Sequence, residues 1–438
     1  MRVSIFGLGY VGVVSAAALA DAGHEVVGVD TNLAKVELVN AGRSPIVEPG
    51  VEELLGRTVA AGRLRATTSV EDAVGASELS IVCVGTPSAP NGSLDLTQVQ
   101  KVCQEIGLAL GSTGEPHTVV IRSTMLPGST EELVIPTLEA SSGRRVGAED
   151  VRVCFNPEFL REGTSLADFH DPAFTLLGVA DDATADVMRE LYAMLSAPVE
   201  VVPYRVAEMA KYASNAFHAL KITFANEIGA VSHELGADGA RVMELLTRDT
   251  KLNISPAYLR PGFAFGGSCL PKDLRALGYQ ARRADVDVPL LDAIGRSNTS
   301  QVDRALRIVT ANGRTRVGVL GFSFKAGTDD LRESPLVELI ERLIGKGYPV
   351  RVYDRNVSLA TLVGANRAFI EREIPHIASL MADTIEEVVE QSDVLVIGNA
   401  DPAFAATLDA VRPGQVVLDL VRIRTDGALP PGYVGISW

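Results

Sequence analysis

A glycine series near the start of the chain constrains the fold more than any other feature. Gly7, Gly9 and Gly12 form G-x-G-x-x-G directly after the apolar run 3–6, and an acid, Asp30, closes the next apolar run, 25–29. In a strand–turn–helix unit each glycine has its own task. The first permits the tight turn, the second lets backbone approach a pyrophosphate at the helix N-terminus, and the third lets helix and strand pack closely. The acid at the end of the second strand accepts hydrogen bonds from an adenosine ribose, and its charge repels a 2′-phosphate. The series therefore predicts a Rossmann-type unit that takes NAD in preference to NADP.

The surrounding pattern agrees with a doubly wound α/β fold. Short apolar runs at 3–6, 25–29, 79–84, 118–122 and 151–155 alternate with helical stretches, as strands of a parallel sheet do when both faces are covered. From Arg205 to about Thr247 breakers are few and charges recur every three or four residues, which predicts a long helical segment. From Arg316 the α/β pattern returns, and "VGVLGFSF" with "GYPVRVYD" echoes "VSIFGLGYVG" with "GHEVVGVD". The expected architecture is two Rossmann-like domains, 1–203 and 303–438, joined by a central helical and dimerisation segment, 204–302. The second copy lacks the complete glycine series, so its crevice is expected to take something other than a dinucleotide.

Composition narrows the partners. A chain of 438 residues with 40 glycines and 47% hydrophobic residues has ample core for such domains. A net charge of -15 argues against nucleic acid or an anionic membrane, though a few cleft cations can still bind a small diphosphate. Cys83, Cys103, Cys154 and Cys269 are far apart, with no C-x-x-C pair, so neither a disulfide framework nor a metal site is expected and a reducing cytoplasm is. Arg2 and the small residues at 16–20 resemble a signal peptide, but the glycines inside that run belong to the dinucleotide pattern.

Four stretches carry the candidate chemistry. "RPGFAFGGSCLPKD", residues 260–273, sets Cys269 among glycines and charges, where amides converge on an anion, Arg260 can meet phosphate, and Lys272 and Asp273 stand close to the thiol. Cys83 and Cys103, in apolar strand and helix patterns, read as core residues. On the central helix Lys211, Asn215, His218 and Asn226 fall within about 80° of one another at about 100° per residue, a polar stripe fit to line a cleft. "NPEFLREGT", with Glu158, Arg161 and Glu162, and "FKAGTDDLRESP", with Lys325 and Arg332, each follow a predicted strand at its carboxyl end, as does Thr86 in "VCVGTP".

Taken together, "GLGYVG", "VGTP", "RST", "NPEFLREG", "AEMAKYASNAFHALKITFANE", "GFAFGGSCLPKD" and "FKAGTDDLRES" resemble, in order and over essentially the whole chain, the UDP-glucose/GDP-mannose dehydrogenase family. "SPIVEPG" and the loop around Cys269 look closest to its GDP-mannose branch, although Ala257 stands where that branch would bring a second aromatic. The resemblance implies a four-electron oxidation of a nucleotide sugar by two successive NAD molecules, for acidic, alginate-type polysaccharide. It implies Cys269 as the covalent nucleophile through a thiohemiacetal and thioester, Lys211 and Asn215 as oxyanion donors, and Glu158, Thr124 and Asp273 around the water. By the same resemblance Glu162, Lys211, Asn215, His218, Asn226, Tyr258, Arg260, Phe263, Gly266 and Lys325 would contact the substrate. Tyr10, Val11, Lys35, Thr86, Thr124, Lys272 and Arg332 would join the three glycines and Asp30 around NAD. A homo-oligomer, dimer or dimer of dimers, is implied as well. The rival readings are another nucleotide sugar, UDP-glucose first, and more remotely a non-catalytic sensor.

Overall fold

The computed structural model describes residues 1–438 except 88–92, 148–149, 162, 256–260, 268–269, 314, 324–330, 332, 356 and 358–376, and except the side chains of 222, 272, 273, 276, 280 and 378. Contacts divide the chain into two units, Met1–Ala219 and Leu220–Trp438.

The first unit is built on strands β1 (Arg2–Phe6), β2 (Glu25–Val29), β3 (Leu64–Thr67), β4 (Leu79–Val82), β5 (His117–Ile121), β6 (Val151–Phe155), β7 (Thr175–Gly178) and β8 (Val199–Val202). They form one sheet in the order β3-β2-β1-β4-β5-β6-β7-β8. Because side chains alternate across a strand, the apolar runs feed two cores. Val3, Ile5, Leu79, Ile81, Val120 and Cys154 join one. Phe6, Val82, Val119, Ile121, Val153 and Phe155 join the other. Each fully buried aliphatic side chain contributes roughly 1.5–3 kcal/mol, so neither face can be left bare.

One pairing departs from the expected all-parallel sheet: β6 meets β7 antiparallel, through Phe155 and Gly178. A parallel return needs a full crossover, usually a helix, whereas the helix between these strands, Ser165–His170, has only six residues. Strand order reverses between β1 and β4, and the crevice of such a sheet opens at the carboxyl ends there.

The second unit holds a parallel sheet of β9 (Val317–Leu320), β10 (Val350–Tyr353), β11 (Val394–Ile397), β12 (Val416–Asp419) and β13 (Tyr433–Gly435), in the order β10-β9-β11-β12-β13. Val317, Val319, Val394 and Val396 face one core and Leu320, Leu395 and Ile397 the other. Each sheet is thus covered on both faces, as a Rossmann-like unit requires.

The long central helix is Tyr204–Glu234, and the division between the units falls inside it. Tyr204, Ala207, Glu208 and Lys211, spaced three, four and seven apart, form its buried stripe on the first unit. The helix expected to reach Thr247 stops earlier. Gly236 takes a left-handed φ of 72°, and Asp238 accepts from the amides of Ala240 and Arg241 to begin a new helix, Gly239–Arg248. Among the described residues no helix is long and apolar enough to cross a membrane.

Candidate active site

The turn after β1 has the geometry the glycines promise. Gly7 adopts φ 98° and its amide donates to the Val29 carbonyl at 2.8 Å. A Cβ on Gly12 would lie 1.8 Å from the Gly7 carbonyl oxygen, so no side chain fits there. Gly9, which precedes the helix Tyr10–Asp21, has nothing within 4 Å of its Cβ position. That open approach to a helix N-terminus fits the pyrophosphate of NAD. Asp30 accepts from the Leu8 amide at 2.9 Å and the Asn32 amide at 2.8 Å, and Lys35 Nζ stands 3.2 Å from its carboxylate. Lys35 is therefore held at the end of β2, where the ribose of a dinucleotide would lie. Tyr10 and Val11, which open the helix, are half-buried.

Two loops at the carboxyl ends of β4 and β5 come together. Thr86 Oγ1 donates to the Thr124 carbonyl at 2.9 Å, and Ser123 Oγ donates to the Val84 carbonyl at 2.7 Å. The third loop, after β6, carries Glu158. Its main-chain carbonyl accepts from Lys211 Nζ at 2.7 Å, and its carboxylate from the same ammonium at 3.0 Å and from the Leu160 amide at 2.7 Å. Both side chains are nearly buried, 7% and 13% exposed, so removing either partner would leave the other charge buried without its counter-ion. Lys211 also sits 5.3 Å over the Phe159 ring. The pair places an ammonium and a carboxylate at the carboxyl edge of the sheet that bears the glycine turn. A cation there can stabilise charge on an oxygen, and a carboxylate can orient water.

Of the polar stripe on the central helix, only Lys211 is buried; Asn215, His218 and Asn226 are exposed. In the second unit Phe263 is half-buried and packs on that unit's core. The Phe265 backbone exchanges two hydrogen bonds with the Asn298 side chain, at 2.8 and 2.9 Å, and Gln301 donates to the Gly262 carbonyl at 2.6 Å. A Cβ on Gly266 would meet the Glu333 carbonyl oxygen at 2.3 Å, so this loop has its glycine for close packing. Cys269, Glu162, Tyr258, Arg260, Lys325 and Arg332 lie outside the described residues, as do the side chains of Lys272 and Asp273.

The other three cysteines are poor nucleophiles at neutral pH, Cys103 and Cys154 being buried and Cys83 half-buried. Desolvation pushes the thiols of Cys83 and Cys103 up to about 12 and raises that of Cys154 as well.

Sequence reasoning passed over Glu48. Its carboxylate accepts from Tyr10 OH at 2.5 Å, the Gly163 amide at 2.8 Å, and the amide and hydroxyl of Ser165 at 2.9 and 2.8 Å. One side chain so ties the glycine turn to the loop beyond Glu158. Burial opposes its charge, but these donors prevail and hold it down to about 2. "SPIVEPG" drew notice only as a mark of the branch, since partners more than a hundred residues apart leave no local signal.

Comparison with known proteins covers the whole chain. Residues 1–196 match the model of the NAD binding domain of the UDP-glucose/GDP-mannose dehydrogenase family, 205–300 its central domain and 318–425 its UDP binding domain. The chain is 52% identical over 421 residues to a GDP-mannose 6-dehydrogenase of Pseudomonas putida, covering 96% of both chains. It is 36% identical to a UDP-glucose 6-dehydrogenase of Haloferax volcanii, covering 97% of both. Among solved structures, a ternary complex of GDP-mannose dehydrogenase from Pseudomonas aeruginosa is 51% identical and superposes with a TM-score of 0.96 over 100% of both chains.

Proposed function

The chain belongs to the UDP-glucose/GDP-mannose dehydrogenase family, and from that premise we propose that it oxidises GDP-mannose to GDP-mannuronate. The observation that carries the reading to chemistry is the nearly buried Lys211–Glu158 pair beside a turn built for NAD, in a chain alike from end to end to GDP-mannose dehydrogenases. NAD, when bound, supplies the hydride acceptor for both oxidations.

The protein's own groups do the rest. Lys211, with Asn215 one turn on, stabilises the oxyanion at C6 as the alcohol loses its proton and again as the aldehyde is attacked. The Cys269 thiolate adds to the aldehyde carbon to give a thiohemiacetal, whose oxidation leaves a thioester. Glu158, Thr124 and Asp273 orient the water that releases the acid. Glu162, His218, Asn226, Tyr258, Arg260, Phe263, Gly266 and Lys325 hold the sugar nucleotide, and Tyr10, Val11, Lys35, Thr86, Lys272 and Arg332 complete the NAD site. The acid serves an alginate-type polysaccharide made from the cytoplasm. The working form is a dimer or a dimer of dimers, organised around a central domain at 204–302. Exposed Met209, Phe217 and Leu220 on the central helix support such an interface.

The test is a panel of GDP-mannose, UDP-glucose and UDP-hexosamines with NADH counted per sugar. Two NADH per GDP-mannose, with acid as product, is expected; one NADH, or faster turnover of a UDP-sugar, overturns the reading. Cys269→Ser is expected to abolish acid formation, and normal acid production by that variant would remove the covalent step.

A further inference from the structure

Arg122 is an arginine buried to 7% exposure in the first unit, and no carboxylate among the described residues lies within ion-pair reach of it. Burying a cation costs several kcal/mol unless the fold makes use of it. Its surroundings are closed. Nη1 donates to Asn156 Oδ1 at 2.7 Å and to Tyr192 OH at 3.0 Å, and Tyr192 OH in turn donates to Asn156 Oδ1 at 2.7 Å. Asn156 and Tyr192 are 2% and 4% exposed, so the three side chains form a sealed ring.

The ring sits where it can fix the site. Ile121 and Phe155 end β5 and β6 in register, so Arg122 and Asn156 are the next residues on two adjacent strands. Asn156 is pinned further by its amide to the Ile121 carbonyl and by Nδ2 to the Leu176 carbonyl, at 2.8 and 2.9 Å. Two residues later comes Glu158, with only Pro157, whose φ is fixed by its ring, between them. The guanidinium also lies 6.0 Å from the face of Phe169, which walls it off on the other side. The cavity beside these residues is about 40 Å3, enough for a few waters.

We propose that Arg122 is a positioning residue of the oxidation: through Asn156 and Tyr192 it locks the Asn156–Pro157–Glu158 turn, so that Glu158 meets Lys211 in the geometry the reaction uses. The proposal rests on the reading that Glu158 and Lys211 serve that reaction. Displacing a catalytic group by about 1 Å can cost about a hundredfold in rate, so a lock that never touches substrate still acts on kcat.

The experiment measures kcat, KM for NAD and for GDP-mannose, and the thermal midpoint of the full-length enzyme carrying Tyr192→Phe, Arg122→Lys, Arg122→Met or Glu158→Gln. Tyr192→Phe, which removes one hydroxyl, is expected to lower kcat about fivefold, and Arg122→Met about thirtyfold, with KM for NAD changed less than about twofold. Arg122→Lys should recover part of that loss, because it keeps the charge and one donor. Should Arg122→Met fail to fold, Tyr192→Phe decides. The proposal is overturned if Tyr192→Phe retains the parent kcat, or if kcat and thermal midpoint fall while KM for NAD rises in step, which is the mark of a merely structural ring. A Glu158→Gln enzyme with the parent kcat would instead overturn the role of Glu158 itself, so the two failures are told apart.

Discussion

Two residues of the first unit respond to acid in separate ranges. His117, at the start of β5, is buried with Nε2 2.8 Å from Ser80 Oγ, and Ser80 continues through Ser4 to Ser77 in a chain of hydroxyls. Desolvation, aided by the nearby Arg144, lowers the imidazole from 6.5 to about 4. The folded protein thus resists a proton that the unfolded chain accepts. Its stability is complete above about 6.5 and falls as pH drops towards about 4, by on the order of 3 kcal/mol. Glu48, held down to about 2 from 4.5, contributes above about 4.5, and that contribution is lost as pH falls further towards 2. Thermal midpoints taken across pH 7 to 3 should therefore show a shallower slope between 6.5 and 4 in His117→Gln, and a changed slope only below 4.5 in Glu48→Gln. If both variants follow the parent's slope throughout, neither group titrates as its surroundings dictate.

At the scale of elements the central helix is fixed by a second carboxylate, Glu208, that pairs with no cation among the described residues. Glu208, fully buried, accepts from the Gly128 amide at 2.6 Å, the Thr130 amide at 2.8 Å and the Thr130 hydroxyl at 2.7 Å. These donors stand at the start of the helical segment that follows β5, where a negative charge is favoured. Lys211 is three residues, nearly one turn, further along. Glu208→Gln replaces an acceptor oxygen by an amino group facing donors and should cost ~3 kcal/mol in urea unfolding, with kcat lowered as the Lys211 turn shifts. An unchanged unfolding midpoint would show that the contact holds nothing.

Neither Glu208 nor Arg122 could be read from the sequence, and the reason is the same for both. A buried polar residue is defined by partners 30 to 80 positions away, while apolar periodicity is a local signal. Strands β1, β2, β4, β5 and β6 stand out as apolar runs, whereas β7, "TLLG", is buried throughout yet too short to mark itself. β3 was missed because "LRAT" sends Arg65 to solvent, and β8 because "VEVV" lies at the sheet edge and is only half-buried. The glycine turn is legible because each glycine answers a steric demand made within a few residues, whereas Lys211 and Glu158 are given roles only through the family resemblance, and their pairing, across 53 positions, leaves no local signal.

For the whole molecule the telling feature is what the second sheet does with its copy of the first sheet's crevice. Gly321 repeats Gly7: its φ is 79° and its amide donates to the Tyr353 carbonyl at 2.7 Å, as Gly7 does to Val29. Asp354 repeats Asp30, accepting the Phe322 amide at 3.0 Å as Asp30 accepts that of Leu8. The likeness ends at the second glycine. Ser323 stands in the place of Gly9, and its amide and hydroxyl both go to Asp354, at 3.1 and 2.8 Å. The Asn399 amide adds a contact to the same carboxylate at 3.3 Å and lies 2.4 Å from where a Gly321 Cβ would be. Asp354 is 4% exposed and its Oδ2 already takes four donors of its own unit, so it does not face a ribose as Asp30 can. A dinucleotide has no entry where side chains already occupy the turn. The chain should therefore bind one NAD, and both oxidations must draw on that single site in succession. Titration of the full-length protein with NAD in a calorimeter should give one equivalent per chain, and Gly12→Ala, whose new methyl meets the Gly7 carbonyl, should abolish it. Two equivalents, or residual binding at full affinity in Gly12→Ala, would mean that the second sheet takes a dinucleotide after all.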